Sequence, residues 1–333
     1  MEYPSLDTPT KGAFRFNTDS SQLEIYDGNQ WTGVVSDSPE LHTGGTRGLY
    51  AGGSGTPTWL TSIDYINVDT TGNALDFGSI SSESYEGGGL GNRTRGLFAL
   101  GYSIPDTDTI DMVTIASTGS TEDFGNLHTG AGRVMDTLSS ETRGIFAGQE
   151  APSKVNDIRY VTIASKGDTV DFGDMNAAKS FGACCASPTR GILAGGRTPS
   201  VLNIIDFITI ASTGNASDFG DLFTGRYNSG SGSNSIRGIF AGGQTPSAVL
   251  NIIDYVTIST LGNAADFGIL TNSRSTRGMA SSTRAAFAGG ASPSQVNTID
   301  YVQIMTIGDA IDFGDLLAVS VHGMSCSNGH GGL

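Results

Sequence analysis

The sequence predicts an all-β fold assembled from a repeated four-stranded unit, and three observations carry this. First, the tripeptide Asp-Phe-Gly recurs six times, at Asp76, Asp123, Asp171, Asp218, Asp266 and Asp312, with steps of 47, 48, 47, 48 and 46 residues. A fixed period of this length is the mark of a repeat architecture. Second, of 333 residues 48 are Gly and only 15% are charged, which suits a turn-rich β protein with stacked strands. Third, no window shows the i, i+3, i+4, i+7 pattern of an amphipathic helix, and Gly interrupts every apolar run. A single Asp-Phe-Gly would suggest the metal-binding motif of a protein kinase. Six at regular spacing, with no catalytic loop, are a structural unit.

The fifth copy shows the unit. Residues 236–243 form a short apolar run ended by Gly242-Gly243. A loop follows to Asn251. Ile253 to Ile258 is β-branched and aromatic, so it reads as a strand. Leu261-Gly262-Asn263 signals a tight turn, because Gly and Asn tolerate positive φ. Ala264 to Ile269 is a third strand and holds Asp-Phe-Gly. A small-residue strand around 278–282 is the fourth. We call these b, c, d and a in turn. Four short antiparallel strands in about 47 residues make one blade of a β-propeller.

Strand b starts at Thr46, Thr94, Thr142, Thr189, Ile236 and Thr283. The a strands are expected near 87–92, 134–140, 181–187, 227–233, 278–282 and 322–327. The last a strand has no b strand after it, and the first b strand has no good a strand before it. The sequence therefore predicts six blades over residues 46–333, with the C-terminal segment inserted as the inner strand of the first. Closure of this kind removes free sheet edges. The a strands are rich in Gly, Ala and Ser because inner strands crowd a central axis. The paired glycines after strand b are expected to make a bulged turn.

Residues 1–45 form a separate module. Lys11 to Trp31 reads as a β-hairpin across Asp19-Ser20-Ser21.

Charge limits the function. A net charge of −15 argues against nucleic acid or an anionic membrane as partner. No stretch reaches ~18 apolar residues, so no membrane insertion is expected. The start, Met1-Glu2-Tyr3-Pro4, lacks the features of a secretory signal. Cys184, Cys185 and Cys326 make no disulfide framework and no zinc spacing, and are expected as buried small apolar groups. Asp174, Asp221 and Asp315 follow Phe-Gly in three copies, but no calcium-loop pattern accompanies them. No cofactor, metal or catalytic residue is expected, and the chain reads as a non-enzyme.

An arginine recurs on strand b: Arg47, Arg95, Arg143, Arg190, Arg237 and Arg284. A buried arginine needs an anionic partner. The expected partners are Asp76, Asp123, Asp171, Asp218, Asp266 and Asp312, which no copy lacks. A second aspartate on strand c, at Asp64, Asp111, Asp206, Asp254 and Asp300, gives way to Arg159 in the third copy. The repeated Phe is expected to pack one blade on the next.

Recognition belongs to loops. The b–c and d–a loops vary most and are expected on one face. Trp59, Tyr85, Tyr102, Phe181 and Phe223 lie in or beside them and are the candidate ligand-binding residues.

The Gly-Gly after strand b, the aromatic on strand c and the inward aromatic on strand d are similar to kelch repeats, with Phe where kelch blades carry Trp. Over residues 46–333, the unit Thr-Arg-Gly-Ile-Phe-Ala-Gly-Gly … Ile-Asp-Tyr-Val-Thr-Ile … Asp-Phe-Gly-Asp-Leu resembles repeats of structural and tail-fibre-like proteins of tailed bacteriophages, notably marine cyanophages. Residues 11–31 resemble a short module of phage tail and fibre proteins. The resemblance implies a virion protein, of the tail fibre or baseplate, that attaches to other virion proteins through residues 1–45. The propeller would face a host-surface glycan or protein. The alternatives are a capsid-decoration or tail-scaffold protein bound only to virion proteins, and a glycan-active enzyme with two carboxylates across a pocket.

Overall fold

The computed structural model describes residues 9–17, 22–33, 46–56, 58–103, 107–127, 133, 136–150, 153–291 and 293–333. The chain divides into two units, Met1–His42 and Thr43–Leu333. Among the described residues there are strands and no helices.

The first unit holds a three-stranded antiparallel sheet of β1 (Phe14–Asn17), β2 (Gln22–Tyr26) and β3 (Trp31–Gly33). The expected hairpin is thus its first two strands. The third was missed because it is only three residues long and follows directly on the turn Asp27-Gly28-Asn29-Gln30. There the Asp27 carboxylate accepts from the Asn29 and Gln30 amides, both at 2.8 Å. These bonds favour its charged form and hold its pKa below the usual value. The expected turn at Asp19-Ser20-Ser21 lies outside the described residues.

The second unit is six antiparallel sheets of four strands each. Sheet 1 holds β4 (Arg47–Ala51), β5 (Ser62–Asn67) and β6 (Leu75–Ser79). Sheet 2 is β7 (Gly88–Gly91), β8 (Arg95–Ala99), β9 (Thr109–Thr114) and β10 (Glu122–Asn126). Sheet 3 is β11 (Asp136–Ser139), β12 (Arg143–Gln149), β13 (Val155–Thr162) and β14 (Val170–Asp174). Sheet 4 is β15 (Ala183–Ala186), β16 (Arg190–Ala194), β17 (Ile204–Thr209) and β18 (Ser217–Asp221). Sheet 5 is β19 (Gly230–Ser233), β20 (Arg237–Ala241), β21 (Ile252–Thr257) and β22 (Ala265–Ile269). Sheet 6 is β23 (Arg277–Ala280), β24 (Arg284–Ala288), β25 (Thr298–Gln303) and β26 (Ile311–Asp315). The last strand, β27 (Met324–Ser327), pairs with β4 and completes sheet 1. Of the a strand expected near 134–140, Val134 and Met135 lie outside the described residues.

The β27–β4 pairing copies a turn without a covalent link. In sheet 2 the Asn92 amide donates to Arg95 O, and Asn92 Oδ1 accepts from the Arg95 amide. In sheet 1 the Asn328 amide donates to Arg47 O, and Asn328 Oδ1 accepts from the Arg47 amide at 2.8 Å. Deleting residues 320–333 removes the inner strand of sheet 1 and leaves β4 an open edge. We expect that truncation to aggregate on size-exclusion chromatography. A soluble product with one cooperative melt would show that β27 is dispensable.

Asp-Phe-Gly is the contact between sheets. Each Phe is buried, at 1–3% exposure, within an apolar cluster between strands. Five of them meet the ring of strand c edge-on, as Tyr255 meets Phe267 at 5.9 Å. The Phe carbonyl accepts from the turn glycine of the next sheet: Gly119 to Phe77, Gly167 to Phe124, Gly214 to Phe172, Gly262 to Phe219, Gly308 to Phe267 and Gly72 to Phe313. The Gly that follows makes this approach possible. Gly220 has φ +150°, and a Cβ there would lie 2.4 Å from Gly262 O. The Asp is exposed in all six copies.

The small residues of the inner strands have the expected cause. A Cβ on Gly278 would lie 1.9 Å from Ser231 O, and one on Gly89 would lie 2.6 Å from Ser325 O.

Candidate binding site on the loop face

The repeated arginines do not pair with the Asp-Phe-Gly aspartates. Five donate from Nη1 to a carbonyl of the sheet that follows: Arg47 and Arg95 to Ile115 and Ile163, then Arg143, Arg190 and Arg237 to Ile210, Ile258 and Ile304, at 2.8–3.3 Å. The guanidinium lies over the strand-c ring, as Arg190 over Phe207 at 4.5 Å and Arg237 over Tyr255 at 4.5 Å. Arg47, Arg143 and Arg284 stack likewise on Tyr65, Tyr160 and Tyr301, while Arg284 Nη1 lacks a hydrogen-bond partner. These arginines are half-buried rather than buried. A half-buried guanidinium keeps part of its hydration, so a carbonyl and an aromatic face suffice. Asp76, Asp123, Asp171, Asp218, Asp266 and Asp312 are left to solvent.

The buried carboxylates are those of strand c and Asp136 at the start of β11. Arg226 Nη1 lies 2.8 Å from Asp254 Oδ2, Arg274 Nη1 lies 3.0 Å from Asp300 Oδ2, and Lys179 Nζ lies 3.5 Å from Asp206 Oδ2. All six side chains are at most 2% exposed. Each cation sits in a d–a loop and reaches the c strand of the following sheet. In sheet 2, which has no such cation, Asp111 takes the Ser81 amide and hydroxyl instead. The sequence held a signal for this. Lys179 and Arg226 stand four residues before their a strands, and Gly132 fills that place before sheet 3, whose c strand carries Arg159 for Asp.

Three of the five candidate aromatics meet. Trp59 and Tyr85 are 5.0 Å apart between ring centroids, Trp59 and Tyr102 5.1 Å, and Tyr85 and Tyr102 5.2 Å. All three are half-buried. Trp59 is in the b–c loop of sheet 1, Tyr85 in the d–a loop that follows, and Tyr102 in the b–c loop of sheet 2. A bridge between Tyr85 and Tyr102 fixes the two loops. Phe181 is different. It is 2% exposed at φ +62°, with Arg197 over its ring at 4.8 Å, so it is a loop anchor and not a ligand contact. Phe223 is 79% exposed and stands apart from the trio.

A charged chain links the trio to the inner strands. Arg133 lies over the Tyr102 ring at 4.3 Å and 3.2 Å from Glu86 Oε2. Glu86 Oε1 is 3.5 Å from His322 Nδ1. Burial works to raise the Glu86 pKa, but His322 and Arg133 outweigh it and the net shift is downward. Burial lowers that of His322.

The inner strands line a cavity of about 90 Å³. One end is filled by the tail after β27. His330 Nε2 is 2.8 Å from Gly91 O and 3.2 Å from Ser139 Oγ. Burial depresses the His330 pKa, which keeps the ring neutral. Gly331 lies against Asn234 O and Ala186 O, and Gly332 against Ser139 O. The other end is bordered by Gly87, Gly182, Ser229 and Arg277. None of Trp59, Tyr85 and Tyr102 lines this cavity.

The chain matches no protein-family model and no curated protein.

Proposed function

We propose that this chain is a non-enzymatic virion structural protein of a tailed bacteriophage, in the tail fibre or baseplate, whose loop face binds the host surface. In this reading the six sheets of the second unit are the blades of a six-bladed kelch-like propeller. Support for that comes from the β27–β4 pairing and from the bond of Gly72 to Phe313, which joins the first sheet to the sixth. The phage assignment rests on the resemblance of the repeat. Attachment through the first unit rests on the resemblance of residues 11–31.

The observation that carries the binding face is the trio Trp59, Tyr85 and Tyr102. Three half-exposed rings from three separate loops suit stacking on a sugar or a protein hot spot. The opposite ends of the strands carry near-identical short turns, which offer little to distinguish one ligand from another. The test is adsorption of the full chain to host cells. Trp59→Ala should weaken adsorption by roughly tenfold, about 1.4 kcal/mol, while the protein keeps a cooperative melt. Adsorption that survives in this variant would remove the trio from the binding face.

A further inference from the structure

Sheet 4 pairs its strand-c aspartate with a lysine, where sheets 5 and 6 use an arginine. Lys179 Nζ lies 3.5 Å from Asp206 Oδ2, and both side chains are at most 2% exposed. In the same role before the next two sheets stand Arg226 and Arg274. A guanidinium keeps its charge, whereas a lysine can give up a proton and act as a nucleophilic amine. The lysine therefore allows a reaction that the arginines do not.

The local geometry favours that reaction. Lys179 Nζ donates to Leu193 O at 3.2 Å. Leu193 is the residue directly paired with Asp206 across β16 and β17, so the amine is held beside the carboxyl. The two carboxyl oxygens differ. Oδ1 accepts from Asn176 Nδ2 at 2.7 Å. Oδ2, which faces Nζ, has no hydrogen bond of good geometry. Phe223 and Thr271 stand at the place of Asn176 after the next two Asp-Phe-Gly copies, so the amide donor is particular to this site. Burial also removes the water that would favour the ionic pair.

We infer that Lys179 and Asp206 join in an amide cross-link, made by the chain's own side chains. The ammonium passes one proton to Oδ2, which leaves a neutral amine and a carboxylic acid. The amine lone pair attacks Cγ. The negative charge of the tetrahedral intermediate falls on Oδ1, where the Asn176 amide already donates. The nitrogen then passes a second proton to Oδ2, the Cγ–Oδ2 bond breaks and water leaves. An N–C bond replaces a C–O bond, and no oxidant or reductant takes part. Well-oriented groups within one molecule react with effective molarities of about 10⁵–10⁸ M. A site closed to water also slows the reverse hydrolysis.

Mass spectrometry of the full chain tests this. The wild type should weigh one water less than its sequence requires. Trypsin does not cut after an acylated lysine. Digestion of the unfolded protein should therefore give a branched peptide joining residues 167–190 to residues 198–226. Lys179→Arg places there the residue that the next two sheets use, so the fold should hold. It should restore the full mass and abolish the branched peptide. A wild type of full mass would overturn the proposal. So would a missing water without that branched peptide, or a water deficit that persists in Lys179→Arg. A branch to residues 134–143, which hold Asp136, would also overturn it.

Discussion

Asp254→Ala is expected to destabilise the protein by about 3–5 kcal/mol, whereas Asp266→Ala should stay within roughly 0.5 kcal/mol of wild type. The two aspartates are directly paired across adjacent strands, and they differ only in where their side chains go. Asp254 is 1% exposed and meets Arg226, itself fully buried, at 2.8 Å. Removing it strands a guanidinium whose remaining partners are the carbonyls of Thr224 and Phe240. Burial already lowers the Arg226 pKa, and Asp254 is what opposes that shift. Asp266 is exposed and belongs to no ion pair among the described residues. Thermal or urea melting of both variants decides the matter. A large loss for Asp266→Ala with little for Asp254→Ala would reverse the assignment of the buried carboxylate.

The contrast shows what a sequence of this kind makes legible. Period, strand type and the inner-strand composition follow from local rules: alternation, turn glycines and crowding. Each could be read from residues close in the chain. The partner of a charge is different. Arg237 and Asp266 recur with one period, but so do Asp254 and, less regularly, Arg226. Equal periodicity places them on the same blade-sized unit and says nothing about which points inward. The bulge at Phe267 of strand d, opposite Ile253 and Asp254 of strand c, sets that direction. It lets Phe267 turn inward while Asp266 turns out. The useful signal lay in the imperfect repeats. Arg159 and Gly132 depart together, whereas the invariant Asp-Phe-Gly aspartate tempts by its constancy alone. Within the site, the aromatic trio was legible because its members sit in loops that vary. Phe181 was misjudged because the positive φ that tucks its ring inward left no mark on composition. The blind cavity depended on the C-terminal tail crossing four sheets, a contact no local pattern carries.

Asp136→Asn should stabilise the protein at pH 8 by roughly 1–3 kcal/mol and do little at pH 3.5. The Asp136 carboxyl is 1% exposed, and neither oxygen has a hydrogen bond of good geometry. Burial pushes its pKa up to about 6 from 3.8, against the pull of Lys179, the Gly182 amide and Arg277. Lys179 opposes this more than Arg277 does, but its ammonium is already paired with Asp206 at 3.5 Å. Asp136 therefore holds its proton to a higher pH than a free carboxyl does. A raised carboxyl pKa means the folded state holds a proton that the unfolded chain gives up. Its contribution is full below pH 3.8 and is lost as pH rises through about 6. A shift of about two units corresponds to ~3 kcal/mol as an upper bound. Asparagine carries no charge to bury, so the variant should escape this loss. The readout is the difference in melting temperature between variant and wild type, which cancels the titration of every other acid. That difference should open between pH 4 and pH 7. A gap of equal size at both ends would show that Asp136 ionises freely, and that the space beside Gly182 is wetter than its burial implies.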